Sequence, residues 1–134
     1  MSYMNFRHIN SKAVAATSAK APSDQKTVSL LSGAWEKRYA VASIIIDNIR
    51  PPAEVHQGAA DIWLVLAGQG KFILGGQLIN QKEIKPGEFT GDSIVNGQVE
   101  RVGPGSIIDI PSGVPHQIDA RGSRLELIIV KVRD

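Results

Sequence analysis

Residues 105–116 read GSIIDIPSGVPH, and this stretch does more than any other to decide the fold. An isoleucine-rich run meets the turn residues Pro111 and Gly113, and the chain resumes at His116. This order is typical of a strand, a tight turn and a second strand that begins at the histidine. A second stretch, residues 54–68, reads EVHQGAADIWLVLAG and also places a histidine beside a turn between two strands.

The second stretch groups carboxylate and imidazole side chains. Side chains two residues apart in a strand share a face, so Glu54 and His56 point the same way. Asp61 opens the next strand after a short turn, which can bring its carboxylate back beside His56. Carboxylates and imidazoles are usual ligands of iron, manganese, cobalt, nickel and zinc ions. If the first stretch lies across a barrel from the second, His116 faces His56.

Short apolar runs separated by turn residues continue along most of the chain. They predict roughly eight to ten strands, and no long helical segments alternate with them. Gly75-Gly76 and Asn96-Gly97 each predict a β-hairpin turn between β-prone runs. The pattern therefore favours an all-β sandwich or closed barrel.

The first residues differ in composition from the rest. Residues 1–26 are polar and alanine-rich, and they predict a short arm or helix that is capped by Asn10 or Ser11 and runs to about Lys20. Residues 27–134 are predicted to form the barrel domain.

The two stretches together resemble the paired motifs of cupin proteins, over about residues 39–134. The first cupin motif has the order His-x-His, Glu and Gly, and the second has Gly, Pro-x-Gly, His and Asn. The residues at the matching positions are Glu54, His56, Asp61, Gly68, Gly105, Pro111, Gly113 and His116. Glu54 replaces a histidine, Asp61 a glutamate and Ala120 the final asparagine. The resemblance implies a cupin-type double-stranded β-helix, or jelly-roll, barrel.

The resemblance also implies a divalent metal site formed by His56, His116, Glu54 and Asp61. The ion could be Fe, Mn, Zn, Ni or Co. In another alignment His56 is the first histidine of the motif and Gly58 takes the second place, which removes Glu54 from the set. Asp61, being shorter than glutamate, could bind through water or only orient a histidine. The alternative is a pair of hydrogen-bonded histidines in a barrel without a metal.

Strand alternation predicts the wall of an internal pocket. Counting from Asp61 places Trp63 and Val65 inward, and counting from His116 does the same for Ile118. Phe72 and Ile108 on neighbouring strands are further candidates for the wall. No lysine or arginine is expected to point inward, so the pattern favours a small, fairly apolar, oxygen-bearing ligand over a sugar phosphate.

Two surface features give further expectations. Residues 80–104 lengthen the segment between the two motifs and form either a lid with Phe89 at its tip or additional sheet. Ile62, Leu64 and Leu66 point outward from their strand, and apolar outward residues need a cover. The cover is either the N-terminal arm or a second copy of the chain, and we expect a homodimer.

Composition excludes several classes of protein. The chain has 134 residues and no cysteine, so disulfides and cysteine-based chemistry are absent. Residues 1–38 carry a net charge of +4 and residues 39–134 one of −2, so the barrel lacks the basic stripe of a nucleic-acid-binding protein. No apolar stretch is long enough to span a membrane. We expect a cytoplasmic protein, with the periplasm left open.

The predicted site supports two functions. The first is a metal-dependent enzyme acting on a small organic molecule, by dioxygenase-like chemistry or by enolising isomerase or lyase chemistry. In the enolising version Glu54 or Asp61 is the general base. The second is a non-catalytic barrel that binds or senses a small ligand.

Overall fold

The computed structural model describes residues 6–134, which form one short helix followed by thirteen strands. The elements are α1 (Ser11–Lys20), β1 (Lys26–Gly33), β2 (Tyr39–Asp47), β3 (Ala53–His56), β4 (Ala59–Ala67), β5 (Gly70–Leu74), β6 (Gln77–Ile79), β7 (Lys82–Lys85), β8 (Glu88–Gly91), β9 (Ser93–Val95), β10 (Gln98–Val102), β11 (Ile107–Ile110), β12 (His116–Asp119) and β13 (Arg124–Arg133). The all-β prediction with a short N-terminal helix is confirmed.

Two antiparallel sheets form the body of the molecule. The first has the strand order β1-β2-β13-β4-β11, and the second has the order β10-β5-β12-β3-β8-β7. Their apolar sides enclose a core that includes Ile46, Trp63, Phe72 and Leu127. The chain crosses between the two sheets several times, and together they make the jelly-roll barrel that the resemblance to cupins implies.

Helix α1 is capped at its N-terminus and is bound to the barrel near its C-terminus. Asn10 caps its N-terminus, where the side-chain oxygen accepts a hydrogen bond from the Ala13 amide at 2.9 Å. At the other end, Arg124 of β13 donates hydrogen bonds to the carbonyl oxygens of Ser18 and Ala21. Within residues 6–134 no helix is long and apolar enough to cross a membrane.

Strand β4 alternates as predicted. Trp63 and Val65 are buried, whereas Ile62, Leu64 and Leu66 are 36–42% exposed on the opposite face. Helix α1 lies over one part of that face and forms a shallow cavity with Leu66. Ile62 and Leu64 are only partly covered by the residues that the structure describes. The homodimer stays a prediction, and sedimentation that detects only monomer at micromolar concentration would contradict it.

The two predicted hairpins at Gly75-Gly76 and Asn96-Gly97 are wrong. Strand β5 pairs with β10, and β6 pairs with β9 in a separate two-stranded sheet. The four strands therefore form one long ribbon, in which the two dipeptides lie opposite each other at a bend. A Cβ on Gly76 would lie 2.3 Å from the Val95 carbonyl oxygen, so the close approach of the two strands requires glycine there.

Residues 80–104 are additional sheet. Strands β7 and β8 extend the second sheet beyond β3, and Phe89 pairs with Val55 in the middle of β8. Phe89 is thus not the tip of a lid over the barrel mouth. The segment contributes to the site through a different residue, Glu88.

Candidate metal centre

Two neighbouring strands of the second sheet carry three of the predicted site residues. His116 at the start of β12 is paired with Glu54 of β3, and His56 lies two residues further along β3 on the same face as Glu54. The ring centroids of the two histidines are 5.1 Å apart. The histidines therefore meet on adjacent strands, and the expectation that they face each other from hairpins across the barrel is wrong.

Asp61 reaches the same point from the first sheet. The segment after His56 crosses from β3 to β4, which pairs with β13 and β11 rather than with β3. Asp61 is a buried residue of β4 and lies on the same inward face as Trp63. The carboxylate was expected to return beside His56, and it does so by a crossover between sheets.

Four polar atoms converge where these strands meet. His56 Nε2 lies 3.4 Å from both Glu54 Oε2 and Asp61 Oδ2. His116 Nε2 lies 3.8 Å from Glu54 Oε2 and 3.6 Å from Asp61 Oδ2. Ligands bound at about 2.1 Å to a tetrahedral ion are about 3.4 Å apart, so the spacing fits a divalent cation. Glu54, His56 and His116 offer atoms that all lie within 4.8 Å of one another.

The two most buried of these atoms have no hydrogen-bond partner among residues 6–134. They are Asp61 Oδ2 and His116 Nε2. His116 Nδ1 donates to the Val114 carbonyl oxygen at 3.0 Å, which leaves a lone pair on Nε2 in the neutral ring. A carboxylate oxygen and an imidazole lone pair are both acceptors, so neither can satisfy the other. A cation between them would satisfy both.

Two residues that the sequence analysis missed hold this arrangement. Lys131 of β13 is paired with Asp61 in the sheet, and its Nζ donates to Asp61 Oδ1 at 2.7 Å. Glu88 of β8 is paired with His56, and its Oε1 lies 2.8 Å from His56 Nδ1. A carboxylate on Nδ1 orients the ring and leaves Nε2 for a metal.

The charges of the site are strongly coupled. Burial opposes charge on His56, but the carboxylates of Asp61 and Glu54 outweigh it and raise the pKa of His56 to about 9. Burial also opposes charge on Glu54, yet contact with His56 and the charge of Lys26 lower the pKa of Glu54 to about 2. Burial lowers the pKa of His116. Without a metal, His56 therefore holds a proton between two carboxylates while His116 stays neutral.

A cavity of about 260 Å³ opens on the site. Its lining includes Trp63, as expected, together with Lys26 and Lys131. The expectation that no lysine points inward is therefore wrong. Among the other predicted wall residues, Ile118 lines a smaller adjoining cavity. Val65 and Phe72 are buried in the core, and Ile108 packs against it.

Solved structures resemble this molecule at low sequence identity. A cupin superfamily protein from Desulfitobacterium hafniense is 14% identical and has a TM-score of 0.59, and the match covers 86% of this chain and 84% of that one. The chain has the cupin fold. Because identities this low establish only the fold, they carry no activity over to this chain.

Two of the structural neighbours are named as enzymes. The DMSP lyase DddQ from Ruegeria pomeroyi is 21% identical, with a TM-score of 0.58 over 83% of this chain and 48% of that one. The polyketide cyclase RemF from Streptomyces resistomycificus is 20% identical, with a TM-score of 0.56 over 84% of this chain and 68% of that one. The chain thus spans about half the length of the lyase. No protein-family model and no curated protein matches the sequence.

Proposed function

We propose that this cupin binds a divalent metal ion through His56, His116 and the carboxylates of Asp61 and Glu54. The observation that carries the proposal is the pair of buried, unpartnered acceptors, Asp61 Oδ2 and His116 Nε2, 3.6 Å apart. Leaving such groups unsatisfied costs about 1–3 kcal/mol each, more if charged. Without a metal, Asp61 Oδ2 has only the 3.4 Å ion pair with protonated His56, and His116 Nε2 has no donor among residues 6–134.

The two carboxylates have different roles in the proposal. The Asp61 side chain is 2% exposed and its Oδ1 is occupied by Lys131, so Oδ2 has a fixed position and suits a permanent ligand. The Glu54 side chain is 39% exposed and lines the cavity. Glu54 would therefore be the residue placed to accept a proton from a ligand in the cavity.

We assign the site to a metal-dependent enzyme of the enolising isomerase or lyase type. A divalent ion held here supplies Lewis-acid chemistry, which stabilises negative charge on a ligand oxygen. Glu54 acts as the general base, while Lys131 keeps Asp61 in place and Trp63 excludes water from one wall. The lyase and cyclase among the structural neighbours are compatible with this class but are too distant in sequence to establish it.

Metal binding is tested by equilibrium dialysis of the untagged chain against Zn²⁺, Mn²⁺ and Ni²⁺, followed by elemental analysis. We expect one ion per chain, and we expect the double variant His56→Ala, His116→Ala to bind none. His8→Ala is the matched control, because His8 is the third histidine of the chain and is exposed. Equal metal content in the double variant and the control would overturn the proposed site.

Catalysis is tested on the metal-loaded chain with a panel of small ketones, diketones and oxo acids in D₂O. An enolising enzyme incorporates deuterium next to the carbonyl, and Glu54→Gln loses this activity while it retains the metal. Oxygen uptake with Fe²⁺ and diketones or aromatic diols, without deuterium exchange, would instead identify a dioxygenase. Saturable ligand binding with neither activity would identify the non-catalytic binding protein.

A further inference from the structure

The cavity beside the metal centre combines two cations with an apolar wall. Lys26 of β1 and Lys131 of β13 both line it. Most of the remaining wall is aromatic or aliphatic, formed by Val28, Trp35, Ile44, Trp63 and Ile129. A cavity of this composition fits a ligand with one anionic group on an apolar body.

Lys26 is the cation that is free to meet a ligand. Lys131 already donates to Asp61 at 2.7 Å. Among the described residues, 6–134, the Lys26 ammonium group forms neither an ion pair nor a side-chain hydrogen bond. Lys26 lies on the inward face of the edge strand β1, paired with the buried Ile46, and it lines both cavities that adjoin Glu54.

The charges around the cavity favour a single negative charge on the ligand. Glu54, Asp61 and Glu88 are the acidic groups in contact with the histidines, and Lys26 and Lys131 are the basic groups on the cavity wall. With neutral histidines these side chains sum to −1, and a divalent ion brings the loaded site to +1. A monoanion therefore neutralises the metal-loaded site.

The size of the cavity limits the body of the ligand. Its volume of about 260 Å³ is below the usual range of pockets for drug-sized molecules, roughly 300–1,000 Å³. A single ring or a short aliphatic chain suits this volume.

We propose that the ligand is a small carboxylic acid with an apolar body, and that Lys26 is the residue that binds its carboxylate. This inference rests on the proposed metal site, because the ion supplies the charge that makes a monoanion the neutralising ligand. An ammonium–carboxylate contact at a partly buried position favours the anion over a neutral amide of the same shape by about tenfold.

The test compares matched pairs of probes, phenylacetate against phenylacetamide and hexanoate against hexanamide. Each is titrated into the zinc-loaded chain, and zinc content is measured in the same samples. Trp35 and Trp63 are the only tryptophans of the chain and both line the cavity, so their fluorescence reports on its occupancy. Lys26→Met is compared with Lys12→Met, which removes the same charge from an exposed position of α1.

We expect at least one carboxylate to bind about tenfold more tightly than its amide, with the advantage lost in Lys26→Met and kept in Lys12→Met. Equal affinity within both pairs, no response to any probe, or a preference that survives in Lys26→Met would each overturn the inference. If the chain binds no zinc, the metal proposal fails and the charge argument fails with it; a Lys26-dependent preference in the same samples would then support the Lys26–carboxylate contact alone.

Discussion

The two sides of the candidate metal centre differ in burial and in charge. On the inner side, the side chains of His116, Asp61 and Lys131 are 4%, 2% and 10% exposed. On the outer side, those of His56 and Glu54 are 12% and 39% exposed. The inner side is held by strands from both sheets, whereas the outer side is formed by β3 and its neighbour β8.

This difference separates two tasks. The inner side fixes the geometry of the site. Lys131 donates a hydrogen bond to Asp61, and His116 donates one to a backbone carbonyl oxygen. The outer side carries the group that is protonated at neutral pH, because the carboxylates of Asp61 and Glu54 raise the pKa of His56 to about 9 and Glu54 reaches solvent. We therefore expect changes on the inner side to affect folding and changes on the outer side to affect metal exchange and chemistry.

The largest expected effect is on stability, from Asp61→Asn on the inner side. The substitution leaves the buried Lys131 ammonium without its counter-charge, which typically costs about 3–5 kcal/mol of unfolding free energy. Glu54→Gln on the outer side should cost less than Asp61→Asn, since Glu54 is partly solvated and water screens its ion pair with His56. Urea denaturation of the metal-free chain measures both.

The double variant Asp61→Asn, Lys131→Met is the control for this comparison. It removes both charges, so it should be more stable than Asp61→Asn alone. If Asp61→Asn costs no more than Glu54→Gln, the distinction between the two sides is wrong.

The second prediction concerns pH. The stability of the metal-free chain should fall as the pH rises, whereas the affinity for metal should rise. The pKa of His56 is raised from 6.5 to about 9 in the folded metal-free chain, so its contribution to stability is complete below pH 6.5 and is lost as the pH rises to about 9. Metal must displace this proton, so affinity should rise about tenfold per pH unit across the same window.

Thermal unfolding at pH 6.5, 7.5 and 8.5 tests the predicted fall in stability, and zinc titration at the same pH values tests the predicted rise in affinity. Without metal, His56→Gln should flatten the decline in stability between these pH values. A zinc affinity that does not change with pH would show that His56 is neutral before the ion arrives, and it would remove the proposed charge exchange.

The smallest expected effect comes from Glu88, which contacts His56 Nδ1 and would act on a bound ion only by orienting that ring. Glu88→Gln keeps an acceptor near His56 Nδ1 but removes the charge, and we expect zinc affinity to fall about tenfold. Glu83→Gln is the matched control on the neighbouring strand β7, where Glu83 is exposed. Equal losses in the two variants would mean that Glu88 does not orient His56.

Local patterns predicted much of the fold and the residues that converge at the candidate site. Alternation along β4 correctly placed Asp61 and Trp63 inward, because alternation depends only on neighbouring residues. The positions of His56 and His116 followed from the motif spacing. The sheet partners did not follow, since Gly75-Gly76 and Asn96-Gly97 fit a hairpin turn and a bend in a ribbon equally well.

Lys131 and Glu88 were missed because pairing between distant strands places them. Lys131 meets Asp61 across 70 residues of sequence, and Glu88 meets His56 across 32. For Lys131 a signal was present, since it continues the inward alternation of Leu125, Leu127 and Ile129. A lysine at a core-facing position is costly and suggests a buried partner. Glu88 has no comparable local signal.

The position of β13 has a consequence for the order in which the molecule can assemble. The last strand lies between β2 and β4, in the middle of the first sheet, and it also supplies Lys131. A nascent chain that lacks residues 124–133 therefore has two unjoined halves of a sheet and an unpaired Asp61. Such a topology has a high contact order and predicts slow folding, with the metal centre completed only after the final strand has docked.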